Sequence, residues 1–302
     1  MKLLIVTQKI DKNDAILGFF HGWIAEFAKH CERVTVICLF EGVHHLPENV
    51  KVLSLGKEKK HSRPQYLTRF YRYIWQERKN YDVVFVHMNP EYVVLGGLPW
   101  KTLGKKVFLW YTHKSVNLKL RIAESLTTLI FTAAKESFHL VSKKVRVVGH
   151  GIDVGRYAES LTPVRTPPRI VSVGRITPIK RLEVMIEAVK ALENNGIRVH
   201  LTLIGGPVMP DDKKYEDRLH ALIHALELKD GVSLVGPMSH DSMSDEYRKY
   251  DISINMAPTG GIDKAVLESM ASGLVVIVAN KAFTQYFGKY VDMLLCKASP
   301  ED

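Results

Sequence analysis

The sequence has little cysteine and no long apolar run, and both absences exclude classes of protein. Three cysteines occur in 302 residues, an odd number without the spacing of a zinc module: Cys31, Cys38 and Cys296. Neither a disulfide framework nor a zinc module is therefore expected. No apolar stretch approaches the roughly 18 residues of a membrane span, and the apolar run near the N-terminus is too short for a signal peptide. We expect a reduced, cytoplasmic chain.

Several catalytic motifs are also missing. No glycine occurs before Gly18, so the first expected strand is not followed by Gly-x-Gly-x-x-Gly, which argues against a dinucleotide oxidoreductase. The sequence has neither a Walker lysine loop nor the Gly-x-Ser-x-Gly turn of a serine hydrolase. Asp211 and Asp212 are adjacent in an expected polar loop, and do not form the separated Asp-x-Asp pair that would hold a cation. We expect neither a metal ion nor another cofactor.

What is present is the composition of a folded protein with an uneven charge. The chain is 46% apolar and 25% charged, and its length suits two domains of about 100–200 residues. Residues 1–160 hold 25 Lys and Arg against 14 Asp and Glu, whereas residues 161–302 hold 17 against 18. An anionic partner of the first half, such as a lipid phosphate, a membrane surface or nucleic acid, would explain the surplus. A basic surface without a specific partner is the alternative.

Strand and helix patterns alternate through the first half. Strands are expected at residues 2–7, 33–39, 50–55, 83–87, 106–111, 128–132 and 146–148, with a polar loop at 8–14. Within the segment 66–81, four apolar residues recur at helical spacing: Leu67, Phe70, Tyr71 and Ile74. Because such a stripe is typical of a helix that covers a sheet, we expect this segment to pack on its own sheet rather than form a nucleic-acid platform.

The alternation stops at residues 161–168, which contain three prolines, and then restarts. We place the linker there, between a first domain at 1–160 and a second at 169–302. In the second half, strands are expected at 169–174, 199–204, 232–235, 252–255 and 275–279, with a helix at 179–194. Strands that alternate with helices predict an α/β protein with two tandem Rossmann-like domains and mostly parallel sheets.

Open parallel sheets bind ligands outside the carboxyl ends of their strands, so residues that follow strands are candidates. Arg175 follows the strand at 169–174, and Lys180 lies in the expected first turn of the next helix. A helix N-terminus is already positive, and added cations favour a phosphate-bearing ligand on its backbone amides. Solvated surface cations are the alternative.

A second candidate segment precedes another helix. Gly260 and Gly261 would let backbone amides approach a ligand closely, and Lys264 adds a cation. Glu268 follows one turn later, although Lys264 and Glu268 could equally form an ordinary surface pair.

Histidines at strand ends are the third kind of candidate. His113 follows the strand at 106–111, and His87 and His150 are weaker candidates in similar positions. For each of the three, a structural role is the alternative.

Taken together, these segments resemble those of a GT-B nucleotide-sugar glycosyltransferase, specifically glycosyltransferase family 4 of the group 1 enzymes. Gly174-Arg175 with Lys180 is similar to the family's Gly-Arg…Lys segment, and residues 265–274 are similar to its Leu-Glu-Ala-Met-Ala-x-Gly signature. The strand ends at 203–206 and 232–236 resemble those that flank the nucleotide. In the first half, the segments 111–113 and 150–153 resemble the family's histidine segment and its Asn-Gly-Val-Asp turn.

The resemblance implies two Rossmann-like domains whose sheets face an interdomain cleft. It implies a retaining, metal-independent glycosyltransferase that moves a sugar from a nucleoside diphosphate-sugar to a glycan, lipid-linked or small-molecule acceptor in polysaccharide biosynthesis. The nucleotide-sugar is then a substrate, not a cofactor. A non-catalytic nucleotide-sugar binding protein and another GT-B enzyme, such as an epimerase or a phosphorylase, remain alternatives. We expect the basic half to make peripheral contact with the inner face of an anionic membrane. We do not expect a nucleic acid as a partner.

The resemblance also implies roles for particular residues. The catalytic set is His113, which hydrogen-bonds the donor sugar, and Arg175 and Lys180, which hold the diphosphate. Glu268 binds the ribose. The other residues assigned to the donor are Gly18, Gly205, Val235, Gly260, Gly261, Ile262, Asp263 and Lys264, and those assigned to the acceptor side are Lys9, Asp11 and Asp14.

The sequence departs from the family's pattern in two places. Gly260 stands where the family has a glutamate that contacts sugar hydroxyls, and Asp263 is a candidate substitute in the same loop. The chain ends at Asp302, where family members continue into C-terminal helices, so we expect the second domain to be truncated or unusually short.

Overall fold

The structure, a computed structural model, describes residues 1–14, 16–157, 164–259 and 261–299. The chain divides into two compact units, one of residues 1–149 with 239–241 and one of residues 150–238 with 242–302. The division therefore falls between Gly149 and His150, ahead of the linker expected at 161–168. Residues 161–163 of that expected linker lie outside the described residues.

The first unit is built on a seven-stranded parallel sheet. Its strands are β1 (Lys2–Ile10), β2 (Arg33–Glu41), β3 (Val50–Ser54), β4 (Val83–His87), β5 (Lys106–Trp110), β6 (Leu129–Thr132) and β7 (Val145–Val147). Its helices are α1 (Phe19–His30), α2 (Arg63–Gln76), α3 (Pro90–Thr102) and α4 (Leu118–Leu126). The strand order is β3-β2-β1-β4-β5-β6-β7. β2 and β3 extend the sheet on one side of β1 and β4 to β7 extend it on the other, so the order switches between β1 and β4. In open α/β sheets such a switch point is where ligands bind.

Apolar side chains cover both faces of this sheet. On one face, Phe70 and Ile74 of α2 pack with the fully buried Trp100 of α3. On the other face, Phe20 and Ile24 of α1 form a second core. Each fully buried side chain of this size contributes roughly 1.5–3 kcal/mol to folding, so the two cores fix which face each helix covers.

Two expectations for the first unit need correction. β1 continues to Ile10, because its pairing with β2 extends to Ile10 opposite Glu41, so Lys9 lies in a strand and not in a loop. In α2, the expected apolar stripe is only half buried: Phe70 and Ile74 face the core, but Leu67 and Tyr71 are exposed. Successive residues of a helix are turned by about 100° around its axis. Residues 67 and 71 are therefore rotated away from the narrow side of α2 that packs on the core.

The second unit repeats the architecture on a smaller parallel sheet. Its strands are β8 (Arg169–Val173), β9 (His200–Ile204), β10 (Val232–Gly236), β11 (Ile252–Asn255) and β12 (Val275–Val278). Its helices are α5 (Leu182–Asn194), α6 (Pro210–Ala225), α7 (Met243–Tyr247), α8 (Lys264–Ala271), α9 (Thr284–Phe287) and α10 (Val291–Leu294). The order β10-β9-β8-β11-β12 places the switch point between β8 and β11. Ile186, Leu201 and Leu219 are among the buried residues of its core.

Within the described ranges, none of the helices combines the length and the apolar character needed to cross a membrane.

Candidate functional site

Two glycines bring the carboxyl ends of β8 and β9 together. Gly205 has φ +147°, and a Cβ built on it would lie 1.7 Å from the carbonyl oxygen of Gly174. Only glycine fits there, because any side chain would overlap that backbone oxygen. The Gly174 amide donates to the Ile204 carbonyl at 2.9 Å, and the Gly205 amide donates to the Gly236 carbonyl at 2.9 Å. Gly205, assigned to the donor from sequence, is therefore also required for this close approach, and Val235 beside it in β10 is half exposed.

The turn that carries Lys180 differs from the expectation. Lys180 ends a 3-10 turn at Pro178–Lys180, Arg181 has a left-handed φ of +48°, and α5 begins only at Leu182. The placement of Lys180 in the first turn of the helix was therefore wrong. The first amide of α5, that of Leu182, donates to the Tyr215 hydroxyl at 2.9 Å, so this amide already has a partner inside the unit.

Lys180 instead reaches across the switch point to the loop before α8. Its Nζ forms an ion pair with Oδ2 of Asp263, and the Nδ2 of Asn255 donates to the same oxygen at 2.8 Å. The other oxygen of Asp263, Oδ1, accepts from the Ala265 amide and so caps α8. Burial alone would raise the pKa of Asp263, but the Lys180 ammonium outweighs it and the pKa lies below its ordinary value. A cation expected to hold phosphate thus has an ionised internal partner.

A second charged pair lies along α8. The Nζ of Lys264 is 3.6 Å from Oε1 of Glu268, and both side chains are largely buried. Burial lowers the pKa of Lys264 to about 8, partly opposed by the Glu268 carboxylate. Burial also raises the pKa of Glu268, although Lys264 and the Tyr157 phenol oppose that shift. The two residues do form the i,i+4 pair considered as an alternative, but they form it in a buried setting, where titration is sensitive to any added anion.

The remaining residues of the second candidate segment are held by the fold. The Gly261 carbonyl accepts from Nδ2 of Asn280 at 3.1 Å, and Ile262 is buried. His150, at the start of the second unit, lies against the Ile262 backbone. Its pKa is lowered mainly by burial and further by the positive charge of the nearby Lys264. Gly260 lies outside the described residues.

Arg175 is exposed beside the β8 end and close to an aspartate. The carboxylate of Asp212 accepts from the amides of Val208 and Met209, which lowers the pKa of Asp212, and Arg175 contributes to the same shift. Asp211 and Asp212 lie in the first turn of α6 and not in a loop, because Asp212 caps that helix. Across the ranges that the structure describes, no three His, Cys, Asp or Glu side chains come together in a group that could hold a metal ion.

The sequence did not single out Asn255, Asn280, Tyr157 or Tyr247. Asn255 and Asn280 each fix a loop at the carboxyl end of a strand, and both are buried. A buried polar residue that ends or follows an apolar strand was the signal that could have found them. The two tyrosines lie in the core beside Glu268, where only the tertiary structure brings them.

Histidines of the first unit take different positions. His113 is exposed after β5, and its Nδ1 accepts from the Ser115 amide at 3.0 Å. His87 is buried, stacks on Phe20 at 3.9 Å, and lies 3.3 Å from the Thr7 hydroxyl through Nδ1. The surroundings of His87 fit the structural alternative, whereas His113 keeps an exposed ring.

The residues assigned to the acceptor side form one local cluster in the first unit. The Nζ of Lys9 lies 2.5 Å from Oδ2 of Asp14 and 3.3 Å from Oδ2 of Asp11. The Gly18 amide donates to the Asp14 carbonyl, and a Cβ at Gly18 would lie 2.5 Å from that oxygen. The structure therefore brings these three residues together with Gly18, which was assigned to the donor, at the switch point of the first sheet, where Gly18 allows a close turn.

Comparison with known proteins relates the second unit to a family of glycosyltransferases. Residues 155–301 match the group 1 glycosyl transferases. The chain is 32% identical over 145 residues to WcaL of Escherichia coli K12, a protein assigned as a colanic acid biosynthesis glycosyltransferase; the match covers 45% of this chain and 34% of WcaL. It is 31% identical over 143 residues to AmsK of Erwinia amylovora, an amylovoran biosynthesis glycosyltransferase, with 45% of this chain and 34% of AmsK covered. The matched segment spans about a third of the length of these curated relatives.

Solved structures of other proteins have the same fold. The crystal structure of Anabaena HepE in complex with UDP and glucose matches with a TM-score of 0.76 and 16% identity, over 100% of this chain and 87% of HepE. Sucrose-phosphate synthase from Thermosynechococcus elongatus matches with a TM-score of 0.71 and 15% identity, over 100% of this chain and 87% of that protein. At such identities the likeness concerns the fold alone. Residues 155–301 thus match the group 1 glycosyltransferases over just under half of the chain, and the chain has the GT-B fold of two parallel-sheet α/β domains.

Proposed function

We propose that this chain is a retaining glycosyltransferase that moves a sugar from a nucleoside diphosphate-sugar to a glycan, lipid-linked or small-molecule acceptor. The observation that carries the proposal is the pairing of Lys180, beyond the end of β8, with the loop that starts α8 at the switch point of the second sheet. A cation, a helix N-terminus and the exposed Arg175 are groups suited to a diphosphate.

The relatives supply the substrate class for this proposal. WcaL and AmsK are named for colanic acid and amylovoran biosynthesis, and HepE has been crystallised with UDP-glucose. We therefore assign this chain to polysaccharide assembly and take UDP-glucose as the first donor to test.

The chemistry requires that a diphosphate leave the anomeric carbon. The bond from the anomeric carbon to the phosphate oxygen breaks, and the acceptor oxygen bonds that carbon on the same face. The acceptor proton passes to the leaving phosphate oxygen. Negative charge grows on the phosphate, so Arg175 and Lys180 accelerate transfer because they bind the transition state more strongly than the ground state. Fixed cations here take the part that a metal ion would play, and we propose metal-independent transfer.

The Asp263 contact gives donor binding a defined first step. Lys180 exchanges its carboxylate partner for the donor diphosphate, and Oδ2 of Asp263 becomes available to accept hydrogen bonds from sugar hydroxyls. Asp263 then fills the role for which Gly260 has no side chain. Glu268 binds the ribose, Lys264 supplements the diphosphate contacts, and His113 hydrogen-bonds the donor sugar.

The test measures release of nucleoside diphosphate from UDP-glucose and from the GDP, ADP and CDP analogues, with a panel of glycan and lipid-linked acceptors. We expect acceptor-dependent release that persists in EDTA, and a product whose anomeric configuration matches the donor by NMR. An inverted product would contradict the retaining mechanism. Release without acceptor, dependence on phosphate, or conversion of the donor sugar would instead indicate a hydrolase, a phosphorylase or an epimerase. Binding without any turnover would indicate a non-catalytic protein.

A further inference from the structure

Residues 57–79 of the first unit concentrate positive charge. These 23 residues contain two glutamates and eight of the 25 cations in the first half: Lys57, Lys59, Lys60, Arg63, Arg69, Arg72, Arg78 and Lys79. They run from the turn that follows β3, along α2, and just past its end. The charge surplus of the first half is thus concentrated on one helix and its flanks.

Both glutamates of this segment accept their hydrogen bonds from groups other than these eight cations, although Lys59 lies near enough to Glu58 to help lower its pKa. Glu77 is buried, and its Oε1 lies 2.6 Å from Nζ of Lys51. Its Oε2 accepts a hydrogen bond from the side-chain Nδ2 of Asn80. Glu58 accepts from the Ser54 hydroxyl at 2.8 Å and from the Glu41 amide at 3.2 Å. As far as the described residues extend, none of the eight cations takes part in a salt bridge. Their charge is therefore available to an external anion.

An exposed apolar stripe runs along the same helix. Leu67, Tyr71 and Trp75 follow one another at intervals of four residues, so they span about 12 Å on one side of α2. They are 41%, 42% and 60% exposed, in that order. The Arg78 guanidinium lies 4.1 Å from the Trp75 ring, so cation and apolar surface adjoin directly. We call Leu67, Tyr71, Trp75 and the eight cations the α2 face.

We propose that the α2 face binds the surface of an anionic phospholipid membrane. A basic helix with Trp and Leu on one side is the form that lies in a membrane interface, with its apolar side chains at the acyl boundary and its cations at the headgroups. Interfacial tryptophan fits this placement, because its ring is apolar and its N–H is polar. The proposal does not depend on the proposed transferase activity.

Charge and side-chain type argue against other occupants of this face. A second copy of the chain would bring eight more cations against the first eight, and like charges repel. Single-stranded nucleic acid would use the cations and stack bases on the aromatic rings, but it gains nothing from the exposed Leu67. A lipid surface uses all of these groups.

The test is flotation of the whole chain with vesicles of phosphatidylcholine alone and with one quarter phosphatidylglycerol. We expect binding to the anionic vesicles only, weakened by 0.5 M salt. Each cation near an anionic surface strengthens binding about fivefold, so R63Q/R69Q/R72Q should weaken it about 100-fold. The matched control R198Q/K229Q/K289Q removes three exposed cations from the second unit and should bind as the wild type does.

Tryptophan fluorescence gives a second measurement on the same vesicles. Trp100 and Trp110 are buried and Trp23 is half buried, so Trp75 is the tryptophan that brominated lipid should quench. Quenching in the wild type and its loss in W75F would support the proposal. The absence of binding to anionic vesicles, or equal weakening by the two triple variants, would overturn it. So would α2-dependent binding of an oligonucleotide without vesicle binding.

Discussion

Replacement of Asp263 by asparagine should tighten the binding of a nucleoside diphosphate. Under the proposed function, the diphosphate has to take Lys180 from a carboxylate that also accepts from Asn255. Asparagine is as good a helix cap as aspartate, so its amide oxygen can accept from the Ala265 amide and α8 should keep its start. The change therefore removes the negative charge and the acceptor oxygen that Lys180 and Asn255 share, and it leaves the helix cap in place.

The size of the effect follows from the contact that the ligand no longer has to break. A hydrogen bond to a charged group contributes about 1.5–3 kcal/mol net, and the Lys180 and Asp263 side chains are only 17% and 26% exposed, so screening by water is limited. Since every 1.4 kcal/mol is tenfold, we expect the Kd for the diphosphate to fall at least about tenfold.

Isothermal titration calorimetry with the wild type, D263N, K180M and K180M/D263N measures this effect. Tightening should appear in D263N and vanish in the double variant, which has no lysine to release. D245N removes another carboxylate from an ion pair of the same unit and controls for net charge. If D263N binds no more tightly than the wild type, or tightens equally without Lys180, the exchange of partners is refuted.

Three further predictions concern the second unit. Gly205→Ala should destabilise the fold by about 3 kcal/mol or more, because its Cβ would meet the Gly174 oxygen at φ +147°, whereas Gly151→Ala, which meets nothing within 4 Å, should be nearly neutral in urea unfolding. Diphosphate affinity should fall as pH rises through about 8, where Lys264 loses its proton, and K264R should abolish that step; a flat profile between pH 7 and 9 in the wild type would contradict this. Glu268→Ala, measured at about pH 6 so that Lys264 keeps its proton, should weaken UDP about 10- to 100-fold but leave pyrophosphate nearly unchanged, because the proposed contact of Glu268 is to the ribose; equal weakening of both ligands would contradict that contact.

The strand positions could be predicted from the sequence because parallel strands are short apolar runs between turn residues. β4 and β11 lie where they were expected, and the other strands differ by a few residues at their ends. The boundary of α5 could not be predicted, since it depends on the left-handed Arg181 and on a hydroxyl from Tyr215, 33 residues away. The pairing of Lys180 with Asp263, 83 residues apart, results from the sheet order, which no local pattern specifies.

Lys180 and Asp263, both predicted at the second switch point, do meet, because residues that follow β8 and β11 lie at the same edge of the sheet. Their chemical roles stay predictions. The exposure of Leu67 and Tyr71 could not be predicted for another reason: helical spacing predicts that a stripe exists, but the width of the buried seam is set by the neighbouring helices.

The two oxygens of Asp263 make separate contacts, and this separation affects how the protein can evolve. Oδ1 holds the start of α8, and Oδ2 holds Lys180 and Asn255. A mutation to asparagine or serine would preserve the helix cap while it abolishes the charge, and a mutation to glutamate would do the opposite. Single substitutions at this position can therefore change the charge beside Lys180 while they keep the start of α8. Under the proposed function, residue 263 is accordingly a site where descendants of this protein could change how the donor is held without rebuilding the helix that follows it.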